Sequence, residues 1–295
     1  MTDIAPRQLH LLTFSNTRSA GPWRHPDLDN STAGVRKRLI EHVRTAEAGA
    51  LDAVFFADGL NYGPPQTWAY KITEDFEPLT TSAALSSLTE RIGFVVTGST
   101  TFAHPFHLAR QLLSLDHLSG GRVTLGVGFG WNTDELADHG VPAGRRRTML
   151  REYLEAMRAL WTEEEASYDG EFVSFGPSWA WPKPVQPKLP VLVGAAGTEK
   201  NFKWIARSAD GWITTPRDFD IDEPVKLLQD VWAGAGRDGA PTIVALDIKP
   251  DPDKLAHWRE LGVTEVLYGL PDRSDDEIAA YVERLAGKLD ATGLR

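Results

Sequence analysis

Residues Phe94–Trp131 read "FVVTGSTTFAHPFHLARQLLSLDHLSGGRVTLGVGFGW". An apolar run, "FVVT", stops at small polar residues. Pro105–Leu118 then carries its leucines at helical spacing, and "VTLGVG" starts a second apolar run that ends in glycines. Short continuous apolar runs read as strands buried on both faces, and a helix between two of them is the crossover that a parallel pair needs. The stretch is therefore a β/α/β unit. It also poses a question: why do two successive strands end in tips so small and open?

The same alternation extends in both directions. Strand-like runs are "QLHLLTF", "AVFFA", "IGFVVT", "VTLGVG", "VLVGA", "GWITT", "TIVALDI" and "EVLYGL". Helical stretches fall at Val35–Ala48, Thr80–Leu88, Pro105–Leu118, Arg145–Leu160, Thr198–Ser208, Pro224–Ala233, Pro252–Leu261 and Ser274–Lys288. About eight such units predict an α/β fold, a single (β/α)₈ TIM barrel, better than an open doubly wound sheet. Two insertions break the rhythm. Gly59–Glu77 is a long loop after the second strand. Ser167–Pro190 holds "YDGEFVSF", which reads as a hairpin, and then a Pro/Trp-rich crossover. Long insertions commonly carry lids or binding walls, and their aromatics suggest an apolar or aromatic ligand. No composition shift marks a boundary, so one domain is expected over residues 1–295.

The 295 residues suffice for a sizeable core, and 42% hydrophobic with 24% charged is ordinary for a globular chain. A formal net charge of -10 argues against nucleic acid or an anionic membrane surface as partner. There is no cysteine, hence no disulfide, thiol nucleophile or zinc-thiolate site. The opening "MTDIAPRQLHLLTF" does not read as a secretory signal, and no apolar stretch is long enough for a membrane span. A cytoplasmic protein is expected.

Barrel enzymes place their chemistry at the C-terminal strand ends. Here those ends are Thr13–Ser15, Ala57–Asp58–Gly59, Thr97–Gly98–Ser99–Thr100, Gly126–Trp131 and Gly194–Thr198, mostly small or hydroxylated. "GVGFGW" invites a dinucleotide reading, but Trp131 stands where the third glycine of G-x-G-x-x-G belongs, and Asp134 and Glu135 come too early for a ribose contact. Gly130 and its neighbours either form a turn or let a planar ring lie against the backbone. Gly197 and Thr198 stand at a helix start, where exposed N–H groups and the helix dipole favour a phosphate; a plain N-cap is the simpler reading. Asp58 ends an apolar strand as either a ligand-binding carboxylate or a turn cap. Gly98 and Ser99 offer backbone and hydroxyl contacts, or simply a turn.

His104 and His107 lie three apart at a helix start. No H-E-x-x-H completes a metal set, so no metal is expected. His104 reads as a proton donor at the barrel mouth and His107 as packed. His25, in "PWRHPD", is a first-loop imidazole able to act as acid or base, or merely solvated. Neither a G-x-S-x-G elbow nor a P-loop appears. A bound organic cofactor is then the natural carrier of chemistry.

"FEPLTTSAALSSLTERIGFVVTGSTTFAHPFHLARQLLSLDHLSGGR", with "GVGFGWNTDEL", "REYLEAMRALW", "YDGEFVSF" and "ARSADGW", resembles the luciferase-like flavin-dependent oxidoreductases over about residues 8–215. "WRHPD", "LDAVFFADGL" and "STTFAHPFHLAR" are similar to the FMN-dependent nitrilotriacetate and sulfone monooxygenase branch. "GVGFGWNTDEL" and the compact length are similar to the deazaflavin F420-dependent branch. The resemblance implies a TIM barrel and a two-component monooxygenase: reduced FMN, supplied by a separate NAD(P)H:flavin reductase, reacts with O₂, and a small organic substrate is oxygenated. It implies that Asp58, Gly98, Ser99, Gly130, Trp131, Gly197 and Thr198 hold the flavin, with a non-prolyl cis bond at Gly98–Ser99 behind the ring. His25 and His104 become the candidates for proton transfer, and Phe56, Phe129 and Trp131 the apolar walls that exclude water. A homodimer is implied as well. One alternative is F420-dependent hydride transfer without O₂, with Lys200 and Lys203 facing an acidic tail; another is a non-catalytic flavin-binding protein. The F420 sugar-phosphate dehydrogenases carry a histidine after the strand-two aspartate, where this chain has Gly59, which counts against their chemistry here.

Overall fold

The computed structural model describes residues 10–14, 31–49, 51–58, 76–98, 100–215, 220–247, 251–269 and 275–290. The first half runs β1 (His10–Phe14), α1 (Thr32–Ala48), β2 (Ala53–Phe56), α2 (Pro78–Ser86), β3 (Gly93–Gly98), α3 (Pro105–Ser119) and β4 (Val123–Gly128). Next come α4 (Thr133–Asp138), α5 (Arg146–Thr162) and the β5 (Ala166–Asp169) and β6 (Ser174–Ser178) pair. The second half is β7 (Val191–Gly194), α6 (Glu199–Ser208), β8 (Gly211–Ile213), α7 (Asp222–Gly234), β9 (Thr242–Asp247), α8 (Pro252–Leu261), β10 (Glu265–Gly269) and α9 (Asp275–Asp290).

The strands form a closed barrel in the order β1-β10-β9-β8-β7-β4-β3-β2. Every neighbouring pair is parallel, and β1 pairs with both β10 and β2 to close the ring. The expected TIM barrel is therefore present, with β5 and β6 as a separate antiparallel hairpin.

Period-two alternation splits the apolar residues into two shells. Phe55, Val95, Leu192, Ile213, Val244 and Leu267 pack together inside the barrel. Their neighbours Val54, Phe94, Val193, Trp212, Val266 and Tyr268 face the helices in the larger core. Each fully buried side chain of this size contributes roughly 1.5–3 kcal/mol. Trp212 carries its one donor into that core, where Nε1 donates to the Ala195 carbonyl at 2.7 Å.

The caps explain why helices begin earlier than apolar periodicity suggests. Ser31 accepts from the Gly34 N–H at 3.1 Å, so α1 starts at Thr32. Glu77 accepts from Leu79 and Thr80, so α2 starts at Pro78, a residue suited to the first turn. Helix α4 is too short for periodicity to reveal; Asn132 Oδ1 initiates it by accepting from Asp134 and Glu135.

The hairpin lies along α5 and α3. Buried Glu152 accepts from the Phe172 N–H at 2.8 Å, the Tyr168 hydroxyl donates to Glu155 at 2.6 Å, and Phe175 meets Phe106 edge to face. Below it the crossover is held by Asp116. This fully buried carboxylate accepts from the Val185 N–H at 2.6 Å, the Gln186 N–H at 3.3 Å and Gln186 Nε2 at 2.7 Å.

Candidate active site

At the mouth of the barrel, β4, β7 and β10 each present a glycine at their last inward position. Gly126 and Gly128 of β4 follow the inward parity of the strand, and Gly128 pairs in register with Gly194 of β7. Among the described residues, a Cβ added to Gly128 or to Gly269 of β10 would meet nothing within 4 Å. One added to Gly194 would meet only the Val127 carbonyl, at 3.8 Å. The strand tips thus leave a flat, open floor.

One wall of that floor is held by a hydroxyl. Thr97 of β3 donates to the Phe56 carbonyl at 3.1 Å and accepts from the backbone N–H of Asp58. The bridge fixes half-buried Asp58 at the end of β2. Gly98, the last residue of β3, has its carbonyl occupied by the Thr100 hydroxyl at 3.1 Å. Ser99 lies outside the described residues, and with it the Gly98–Ser99 bond; His25 lies outside them too.

On the other side, the β7–α6 loop forms a cationic corner. Thr198 caps α6 by accepting from Asn201 at 3.4 Å, which leaves the first-turn N–H groups of Glu199 and Lys200 with no carbonyl one turn back. Asn201 Nδ2 donates to the Ala196 carbonyl at 2.8 Å, and its Oδ1 accepts from Arg147 Nη2 at 2.8 Å. The Arg147 guanidinium lies 4.1 Å from the Phe129 ring centroid, and Trp204 packs edge to face on that ring at 5.0 Å. Burial, and then the neighbouring charge of Arg146, lower the Arg147 pKa from its ordinary value. Arg146 itself holds a buried Nε with no hydrogen-bond partner among the described residues. A bound anion at the corner would meet the α6 N–H groups and the Arg147 guanidinium.

Several expected roles change on this geometry. Phe56 faces the helix layer, because Phe55 holds the inward parity, so Phe56 does not wall the mouth. Phe129 is packed between Arg147 and Trp204. Trp131 is 84% exposed at the rim, past Gly130, whose positive φ of 73° makes the turn. His104 caps α3 with Nδ1 accepting from Phe106 at 3.4 Å; its ring is exposed. His107 is exposed as well, not packed, with its ring centroid 6.2 Å from that of His104. Gly197 is glycine for a packing reason: a Cβ there would stand 2.9 Å from Pro224 and 3.2 Å from Trp212. No group of three or more metal-binding side chains occurs among the described residues.

Thr97 is one of the strand-end residues singled out in the sequence, without the bridging role it has here, and Arg147 is not among the residues the sequence reading singles out. Arg147 did leave a signal in the sequence: Arg145–Arg147 put three cations at a helix N-terminus, against the macrodipole, and that placement asks for an anion.

The family model "Luciferase-like monooxygenase" matches residues 20–265. The chain belongs to that family. It is 75% identical over 214 residues to "Uncharacterized protein Rv0953c" of Mycobacterium tuberculosis, covering 72% of this chain and 76% of that one. It is 33% identical over 172 residues to a dibenzothiophene-sulfone monooxygenase of Rhodococcus erythropolis, covering 52% of this chain but only 38% of that protein. The EDTA monooxygenase EmoA of Chelativorans sp. BNC1 superposes with a TM-score of 0.81 at 15% identity, over 98% of this chain and 95% of that one. The luciferase-like assignment makes the chain an oxidoreductase. No described helix is long and apolar enough to cross a membrane.

Proposed function

We propose that this luciferase-like chain is the oxygenase component of a two-component system, a single barrel domain that uses reduced FMN and O₂ to oxygenate a small organic substrate. The observation that carries the reading is the open floor at Gly128, Gly194 and Gly269, where a Cβ on any of them would project into space that no described side chain fills. A planar ring system is the ligand such a floor accommodates. The corner formed by Arg147 and the α6 N-terminus suits the phosphate of a mononucleotide.

Reduced FMN supplies the activation of O₂ when bound; the chain supplies position and exclusion of water. Gly128, Gly194, Gly98, Ser99 and Gly130 would lie against the ring, and Asp58, oriented by the Thr97 bridge, would contact its polar edge. Gly197, Thr198 and Arg147 would hold the phosphate. His104, exposed at the mouth end of α3, and His25 would move protons to and from the substrate side. Trp131 would border the entrance. A separate NAD(P)H:flavin reductase would deliver the reduced flavin to a cytoplasmic homodimer.

Anaerobic titrations of the purified protein with reduced FMN and reduced F420, side by side, test the reading. Tighter binding of FMN is expected. Preference for F420 would sink the monooxygenase reading in favour of hydride transfer without O₂.

A further inference from the structure

Trp131, in the loop after β4, is the most exposed of the large apolar side chains among the described residues. It stands three residues beyond Gly128, so its Cα is within about 10 Å of the open floor. It also stands on a fixed pedestal. Gly130 takes φ 73°, and a Cβ at that position would meet Leu136 Cδ2 at 3.0 Å, so the turn is seated on buried Leu136. On the other side Asn132 caps α4 with two hydrogen bonds. A mobile exposed tryptophan would carry little meaning; one whose two neighbours are both locked is a presented surface.

A stacked ring pair links the loops on either side of this strand end. Phe102, in the loop after β3, stacks on His139, in the loop after α4, with ring centroids 4.2 Å apart and planes 18° from parallel. The stack ties together the loops that follow two adjacent strands of the mouth.

Charge decides which molecules these surfaces suit. The arginines at the start of α5 are engaged within the chain: Arg145 pairs with Glu171, Arg146 donates to the Ala143 carbonyl, and Arg147 points into the α6 corner. The charges that flank Trp131 in α4 are exposed Asp134 and Asp138. Among the described residues, the rings and carboxylates around Trp131 favour neutral flat molecules over polyanions.

We propose that Trp131 is the specificity-determining residue of this site, a stacking platform for a neutral, planar, apolar substrate, and that polycarboxylates are rejected at the rim. The proposal rests on the monooxygenase reading above. It moves Trp131 from the flavin cradle to the substrate side.

Calorimetric binding to the FMN-loaded protein under anaerobic conditions tests it, with dibenzothiophene sulfone as the neutral planar probe and EDTA as the polycarboxylate. The sulfone is expected to bind and EDTA not to. Trp131→Ala should weaken sulfone binding about tenfold, the size of one lost aromatic contact. Trp131→Phe should restore most of that loss, and Trp179→Ala, which removes another highly exposed indole, should change nothing. Reduced-FMN affinity, titrated separately, should be the same in all four proteins. Tighter binding of EDTA than of the sulfone, binding of neither probe, or unchanged sulfone affinity in Trp131→Ala overturns the proposal. So does an equal loss of FMN affinity in Trp131→Ala, which would return the residue to the flavin cradle. Failure of the unsubstituted protein to bind FMN sinks the underlying reading instead; Trp131-dependent sulfone binding to the flavin-free protein would then still support the platform.

Discussion

The two ends of the barrel use glycine for opposite reasons. At the bottom, Gly211 opens β8 with the Thr242 carbonyl oxygen 2.1 Å from where its Cβ would be, and with Thr242 Cβ and Leu192 Cδ2 within 2.8 Å. At the mouth, Gly128 and Gly269 would place a Cβ where no described residue stands within 4 Å. Packing explains the first case completely. No described residue explains the second. On the proposed reading, these small strand tips are the floor on which the flavin ring would lie.

This contrast can be broken in four places. Gly211→Ala should cost about 3 kcal/mol of stability, because a backbone carbonyl cannot move aside as a side chain can. A urea midpoint within error of the unsubstituted protein would show that the bottom is looser than described. Gly128→Leu should leave the urea midpoint in place while lowering reduced-FMN affinity about a hundredfold, roughly 2.7 kcal/mol. If unfolding moved and flavin binding did not, the two ends would be alike and the floor would be structural. Thr97→Val removes the bridge between β2 and β3; a loss of about 1–2 kcal/mol in stability is expected, with weaker FMN binding that Thr97→Ser restores.

A fourth test concerns the shell outside both ends. His42 on α1 buries both ring nitrogens with no hydrogen-bond partner among the described residues, and burial lowers its pKa from 6.5 to about 4. The unfolded chain takes up the proton near 6.5, whereas the folded chain does so only near 4. Between those values the unfolded state binds more protons, so stability rises with pH across that window and falls as pH drops through it. Denaturant unfolding of His42→Phe from pH 7 to 4 should show a shallower loss than the unsubstituted protein; identical slopes would assign the dependence to other groups.

The barrel was legible because buried parallel strands are apolar on both faces, and "AVFF", "FVVT" and "VLVG" carry that signature without ambiguity. The hairpin was legible from the turn residues in "YDGEFVSF". Helix α4 was not: six residues offer less than two turns of periodicity, and only the Asn132 cap marks the start. The site was half legible. Asp58 and Thr198 stand at strand or loop ends where position alone suggests a role. The facing of Phe55 and Phe56 depends on register, and a one-residue choice of parity exchanges the interior with the helix layer. Arg147 reaches the α6 corner from a different helix, a long-range placement that local spacing cannot reveal.

The carboxylate of Asp116 has a consequence for how the chain can change. It grips Val185 and Gln186 just before β7, so the strand receives its register from a point fixed to α3 and not from whatever length of chain precedes it. Everything between the end of α5 and that grip, the hairpin included, can change in length without shifting the register of β7. Segments can be spliced in or cut away there while β7 and the floor glycine Gly194 keep their place. In this architecture the excursion between α5 and β7 can be rebuilt while the bed of the barrel keeps its shape.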